Sequence, residues 1–177
     1  MPRLFSGLEI PAEAAAALAG ARGGIPRARW IEPSDYHITL RFIGDVDLGM
    51  ARAIAQTLAQ VRRAPLAIRF EGLGWFGGDK PRAIIARVRP SVELAELQAE
   101  HERRLRRIGL PPDARNFTPH VTLARLRTVR PTAVADYLTS RGALSPLGFE
   151  AMRFVLYSAR DSVGGGPYLV EAAYPLE

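Results

Sequence analysis

The chain has no cysteine. That absence excludes a disulfide scaffold, a thiolate nucleophile and a cysteine zinc site. No run approaches the ~20 apolar residues that a membrane-spanning helix needs. The opening stretch MPRLFSGLEI is too short and too mixed for a secretory leader. The expectation is therefore a cytoplasmic protein with no membrane partner; a monomer is the default expectation, on which these absences do not bear. Lysine is nearly missing too: Lys80 is the only one, so the positive charge is almost all arginine. Histidine is scarce, with three in 177 residues.

What is present suits one globular domain over residues 1–177. Hydrophobic residues make up 47% and charged residues 24%, enough for a sizeable core and against wholesale disorder. The net charge of +6 and the pI of about 10.4 suit a polyanionic partner, nucleic acid above all. A GC-rich coding bias would leave the same arginine-rich look, so charge alone decides nothing.

The patterning alternates strands and helices with short connections. RLFSGLEI (3–10) reads as a strand and PAEAAAALAGARGG (11–24) as a helix with proline at its start and glycines after its end. Residues 36–43 read as a strand. The next helix, at about 47–63, carries Leu48, Ala51, Ile54, Leu58 and Val61 on one stripe. Residues 65–76 and 83–88 read as strands around the turn GGDKPR. Ser91 caps a helix to about 108, with Leu94, Leu97, Leu105 and Ile108 inward. A loop, 109–119, feeds a strand at 120–126. RPTAVADYLTSRG (130–142) is a helix with a glycine stop. LGFEAMRFVLYSAR and PYLVEAAYPL read as the last two strands, with DSVGGG as a hairpin loop between them. The order suggests an α+β fold with antiparallel sheet, built by duplication.

Two of the three histidines open the same pattern, H-[IV]-T-L, in YHITLRF (36–42) and PHVTLAR (119–125). Side chains in a strand alternate between faces. Tyr36, Ile38, Leu40 and Phe42 then share a core-facing side, and His37, Thr39 and Arg41 share the other, with about 6–7 Å between neighbours. In the second motif His120 and Thr122 share a polar face, while Arg125 breaks the parity unless the strand bulges or ends there. A lone outward histidine is most often plain surface. A second histidine followed by [ILV]-T-L arises by composition only roughly once in a thousand. His101 falls on the inward stripe of the 91–108 helix and reads as a packing or core-edge histidine.

Imidazole exchanges protons near neutral pH. One neutral and one protonated ring make a base and an acid. In-line displacement at phosphorus asks for that pair, one on each side, with hydroxyls for the non-bridging oxygens.

Paired H-x-T-x motifs in a chain of this size resemble the 2H phosphoesterases. RLFSGLEIP at the start, the tryptophan before YHITLRFIGDV, and FTPHVTLAR resemble the bacterial and archaeal RNA 2′,3′-cyclic phosphodiesterases of the 2′-5′ RNA ligase family. The resemblance spans nearly the whole chain. It implies two similar lobes related by a pseudo-two-fold, antiparallel sheets lining a central cleft, and helices outside. It implies hydrolysis of a terminal RNA 2′,3′-cyclic phosphate to a 2′-phosphomonoester, with neither cofactor nor metal. His37 is then the proton donor and His120 the proton acceptor, with Thr39 and Thr122 on the phosphate oxygens. RNA with a 2′,3′-cyclic phosphate end is the expected partner, with small cyclic nucleotides as further candidates.

An arginine suits phosphate oxygens. Arg41 has the right parity and Arg125 the family-like position, so both are expected to bind substrate. Trp30, Trp75 and Phe76 are candidates to stack a base, against core packing as the plainer reading. Three further readings compete: 2′-5′ RNA joining by the reverse reaction, a non-catalytic basic RNA-binding module, and a zinc hydrolase. The last lacks any compact ligand set such as H-E-x-x-H.

Overall fold

The β-branched and aromatic runs form strands, and the leucine- and alanine-rich stripes form helices. The structure, a computed structural model, describes residues 1–141, 143–159 and 166–177. In chain order the elements are β1 (Arg3–Glu9), α1 (Ala12–Ala19), β2 (Arg29–Trp30), a 3-10 turn (Pro33–Asp35), β3 (His37–Asp45), α2 (Leu48–Leu58), β4 (Leu66–Phe76), β5 (Ala83–Val88), α3 (Val92–Arg107), β6 (His120–Arg125), α4 (Pro131–Arg141), β7 (Gly148–Ala151), β8 (Arg153–Ala159) and β9 (Tyr168–Pro175). Asp47 caps α2 through Met50 N at 2.7 Å, and Ser91 caps α3 through Leu94 N at 3.1 Å. Gly142, the expected helix stop, and all of DSVGGG except Gly166 lie outside the described residues.

The strands join edge to edge in the order β7-β4-β5-β6-β3-β1-β8-β9, with β2 beside β6. Every pairing is antiparallel. The expected α+β, two-lobed architecture is present, but its sheets run on as one. The halves meet at β3 and β6, through the pair Ile38 and Val121. One half is β3-β1-β8-β9, the other β6-β5-β4-β7. In the first, β1 lies between β3 and β8; in the second, β5 lies between β6 and β4. Both halves are completed by the C-terminal part of the chain, which gives β7 to one and β8 and β9 to the other.

That division explains one difference from the expected elements. LGFEAMRFVLYSAR is not one strand. It breaks at Met152, because β7 pairs with β4 in one half and β8 with β1 in the other. No glycine or proline interrupts the run from Phe149 to Ala159, so nothing in it marks the break.

The helices pack on the sheet and on one another. Tyr174 on β9 donates to Ala55 O of α2 at 3.0 Å, and Tyr137 on α4 donates to Ala21 O just after α1 at 2.7 Å. His101 on α3 is wholly buried, bonded to Ser6 Oγ at 2.8 Å and edge-on to Phe154. Its packing assignment from the helical stripe agrees with this placement. Burial pushes its pKa down to about 3, so it sits in the core as the neutral ring. Leu48, placed on the inward stripe of α2 by periodicity, is instead exposed at the first turn of the helix. Among the described residues no helix is long and apolar enough to cross a membrane.

Candidate active site

A cleft of about 840 Å³ brings the two motifs together. His37 and Thr39 line it from β3, His120 and Thr122 from β6. Antiparallel pairing at Ile38 and Val121 sets the motifs head to tail. Each histidine therefore stands next to the opposite motif's threonine across strands about 5 Å apart.

Both rings are oriented alike. His37 Nδ1 bonds Asp35 O at 2.9 Å and His120 Nδ1 bonds Thr118 O at 2.6 Å, each two residues upstream. A carbonyl can only accept, so each Nδ1 carries the hydrogen and each Nε2 is left for chemistry. His37 Nε2 lies 3.0 Å from Thr39 Oγ1. Among the described residues His120 Nε2 has no hydrogen-bond partner.

The surroundings differ. His37 sits in an aromatic pocket of Phe5, Tyr157 and Tyr168, with centroids 4.9, 5.4 and 5.0 Å away. Gly7 makes room there: a Cβ would stand 2.6 Å from Ile38 O and 3.3 Å from the Tyr157 ring. Burial pushes the His37 pKa down to about 4, and the charges of His120 and Arg125 add to the fall against the Asp35 hydrogen bond. The His120 pKa is also lowered, by burial first and then by Arg125, against the Thr118 hydrogen bond. Phe76 meets the His120 ring edge-on at 4.7 Å. Both imidazoles are neutral in the free protein at pH 7.

Strict alternation misplaces the arginines. In the β1–β3 register Ser6 faces Arg41 and Gly7 faces Thr39, so Leu40 is an extra residue. In the β5–β6 register Ile84 faces Ala124 and Ile85 faces Thr122, so Leu123 is extra. Each motif thus bulges at its leucine, and parity flips beyond it. Arg125 swings into the cleft, as a bulge at this point requires.

Arg41 swings the other way, which corrects its expected substrate contact. It is 4% exposed and pairs with Glu102 on α3 at 2.5 Å. It also donates to Phe42 O and Pro111 O. Glu102 in turn accepts from Asp113 N at 3.1 Å. Arg41 therefore clamps the 109–119 loop to the sheet.

The same flip puts Phe42, expected in the core, into the cleft at 37% exposure, with Arg115 5.7 Å over its ring. Of the aromatics considered as base platforms, Phe76 lines the cleft. Trp30 packs on Tyr137, and Trp75 is exposed at the β4–β5 corner, neither stacked in the cleft nor in the core. Residues that strand parity missed are Phe42, Arg82 in the hairpin turn, and Arg115 in the 109–119 loop. The identical leucine after both threonines is the one signal that hints at a shared bulge.

A family model described as the 2'-5' RNA ligase superfamily matches residues 10–162. The chain is similar to the RNA 2',3'-cyclic phosphodiesterase of Aeropyrum pernix, 39% identical over 112 residues, or 62% of this chain and 63% of that one. It is also similar to the RNA 2',3'-cyclic phosphodiesterase of Geobacillus stearothermophilus, 33% identical over 160 residues, or 88% of this chain and 50% of that one. The chain thus spans half to about two thirds of the length of these curated relatives. The crystal structure of TT0787 of Thermus thermophilus shares the fold, with a TM-score of 0.80 at 24% identity, covering 98% of this chain and 97% of that one. With paired H-x-T-L strands across one cleft and a family match over most of its length, the chain belongs to the 2'-5' RNA ligase superfamily.

Proposed function

We propose that the chain is a single domain of two similar lobes that hydrolyses the 2′,3′-cyclic phosphate at an RNA end to a 2′-phosphomonoester. The observation that carries this reading is the pair of imidazoles, each with Nδ1 tied to a backbone carbonyl and Nε2 left to one cleft. The names of the two curated relatives support the substrate class.

In the proposed reaction His120, neutral and with an unbonded Nε2, takes a proton from water. That water oxygen forms a bond to phosphorus, and the bond from phosphorus to the 3′ oxygen breaks on the opposite side. His37 as imidazolium gives the Nε2 proton to the departing 3′ oxygen. Thr39 and Thr122 donate to the non-bridging oxygens, and the Arg125 guanidinium offsets the charge that grows there.

The free protein holds His37 neutral, so the acid must be made on binding. The substrate's anionic phosphate, placed against the ring, favours the charged form and raises the pKa that burial had lowered. The substrate thereby recruits its own proton donor.

The test is incubation with an oligonucleotide ending in a 2′,3′-cyclic phosphate, followed by mapping of the product phosphate. A 2′-phosphate is expected. A 3′-phosphate would show that the 2′ oxygen departs instead, and an unchanged substrate would end the hydrolase reading.

A further inference from the structure

The cleft carries more positive charge than one cyclic phosphate calls for. Among the described residues four arginines line it: Arg3, Arg82, Arg115 and Arg125. Arg3 lies 3.6 Å from Asp45, and Arg115 lies 3.7 Å from Asp113. Among the described residues neither Arg82 nor Arg125 pairs with a carboxylate.

The two unpaired arginines occupy different depths. The charge of Arg125 bears on both imidazoles. Ala83 faces Arg125 across the β5–β6 ladder, and Leu126 N donates to Arg82 O at 2.8 Å, so Arg82 stands one step beyond Arg125 at the hairpin end. Its backbone is held from the other side as well, since Arg82 N donates to Phe76 O at 2.8 Å. Gly77, at φ +108°, leaves space for the side chain: a Cβ there would stand 3.0 Å from Arg82 Cγ and 2.8 Å from Arg82 N. Arg82 is thus a cation rooted in a fixed turn, without a carboxylate partner, on the wall of an anion-binding cleft.

A terminal cyclic phosphate carries one negative charge, which the proposed reaction sets against Arg125. The next anion on an RNA chain is the phosphodiester on the 5′ side of the terminal nucleoside. We propose that Arg82 binds this neighbouring phosphodiester, so that the site prefers the end of an RNA chain to a mononucleotide 2′,3′-cyclic phosphate. The assignment rests on the cyclic phosphodiesterase reading and names the substrate class within it. A guanidinium on a phosphate makes charge-assisted bonds, each of which alters binding by about tenfold or more.

The experiment compares the unaltered protein and Arg82→Ala on three substrates. They are a mononucleotide 2′,3′-cyclic phosphate, a dinucleotide ending in the cyclic phosphate, and the same dinucleotide with an uncharged methylphosphonate at its internal linkage. The unaltered protein should favour the charged dinucleotide in kcat/KM by about tenfold over the other two. Arg82→Ala should lower kcat/KM for the charged dinucleotide by about the same factor and leave the other two within about twofold. Equal losses on all three substrates, or no loss on the charged dinucleotide, would overturn the Arg82 assignment and leave the hydrolase standing. Failure of the unaltered protein on every substrate would instead overturn the hydrolase reading, and the Arg82 assignment with it.

Discussion

The strands β3 and β6 carry one pattern to two ends. Both read H-[IV]-T-L, both tie a histidine Nδ1 to the carbonyl two residues back, and both bulge at the leucine. After the bulge β3 reads Arg41-Phe42 and β6 reads Ala124-Arg125. The first residue of each pair is buried, and the second turns into the cleft. One strand therefore spends its arginine on structure, and the other offers its arginine to the cleft. A shift of one position in where the arginine is written decides its role, because side-chain direction along a strand is binary and a bulge resets it.

The histidines should show the two strands at their most alike. His37→Ala and His120→Ala should each lower kcat by ~10²–10⁴-fold on the cyclic phosphate end, with thermal unfolding little changed. Near-normal turnover by either variant removes that ring from the acid–base pair.

The arginines should show the strands at their most different. Arg125→Ala should cost about 10²-fold in kcat, since a preorganised cation at the phosphate is lost, and should leave stability alone. Arg41→Ala should do the reverse. It leaves Glu102 without its partner and frees the 109–119 loop, for a loss on the order of 2–4 kcal/mol in unfolding free energy and a much smaller change in rate below the melting transition. Calorimetry alongside kinetics separates the two, and a rate loss in Arg41→Ala as large as that in Arg125→Ala would erase the contrast.

The threonines should again be equivalent. Thr39→Ala and Thr122→Ala should each reduce kcat/KM by about tenfold, through one hydrogen bond to an anionic oxygen. A large effect at one and none at the other would show that the phosphate lies off the axis between the strands.

The smallest effect is on pH. kcat/KM reports the free protein, in which burial lowers both imidazole pKa values, to about 4 at His37. Its optimum should fall below the ordinary imidazole value of ~6.5. kcat reports the complex, in which the phosphate anion raises the imidazole pKa values again, so its optimum should lie at higher pH. Coincident optima would mean that substrate charge does not recruit the acid.

Much of the site was legible before any coordinates. The alternation in YHITLRF put His37 and Thr39 on one face, and the repeated motif tied His120 and Thr122 to them. The stripe of α3 placed His101 in the core. Arg41 and Phe42 were misread because period-two alternation holds only until the first extra residue, and only the matching leucine of the second motif hints that Leu40 is that residue. The split of β7 from β8 at Met152 was hidden for a related reason: two strands with different partners joined by one residue look like a single run. Arg82 and Arg115 lie in loops, where no periodicity assigns a direction.

By itself the sequence determined the repertoire of groups: two imidazoles, two hydroxyls and many guanidiniums, in strands that had to bury their apolar alternate. Only tertiary structure decided which guanidinium faces the cleft. Register between strands is set by pairing partners far away in the chain, and a bulge exists only relative to a partner.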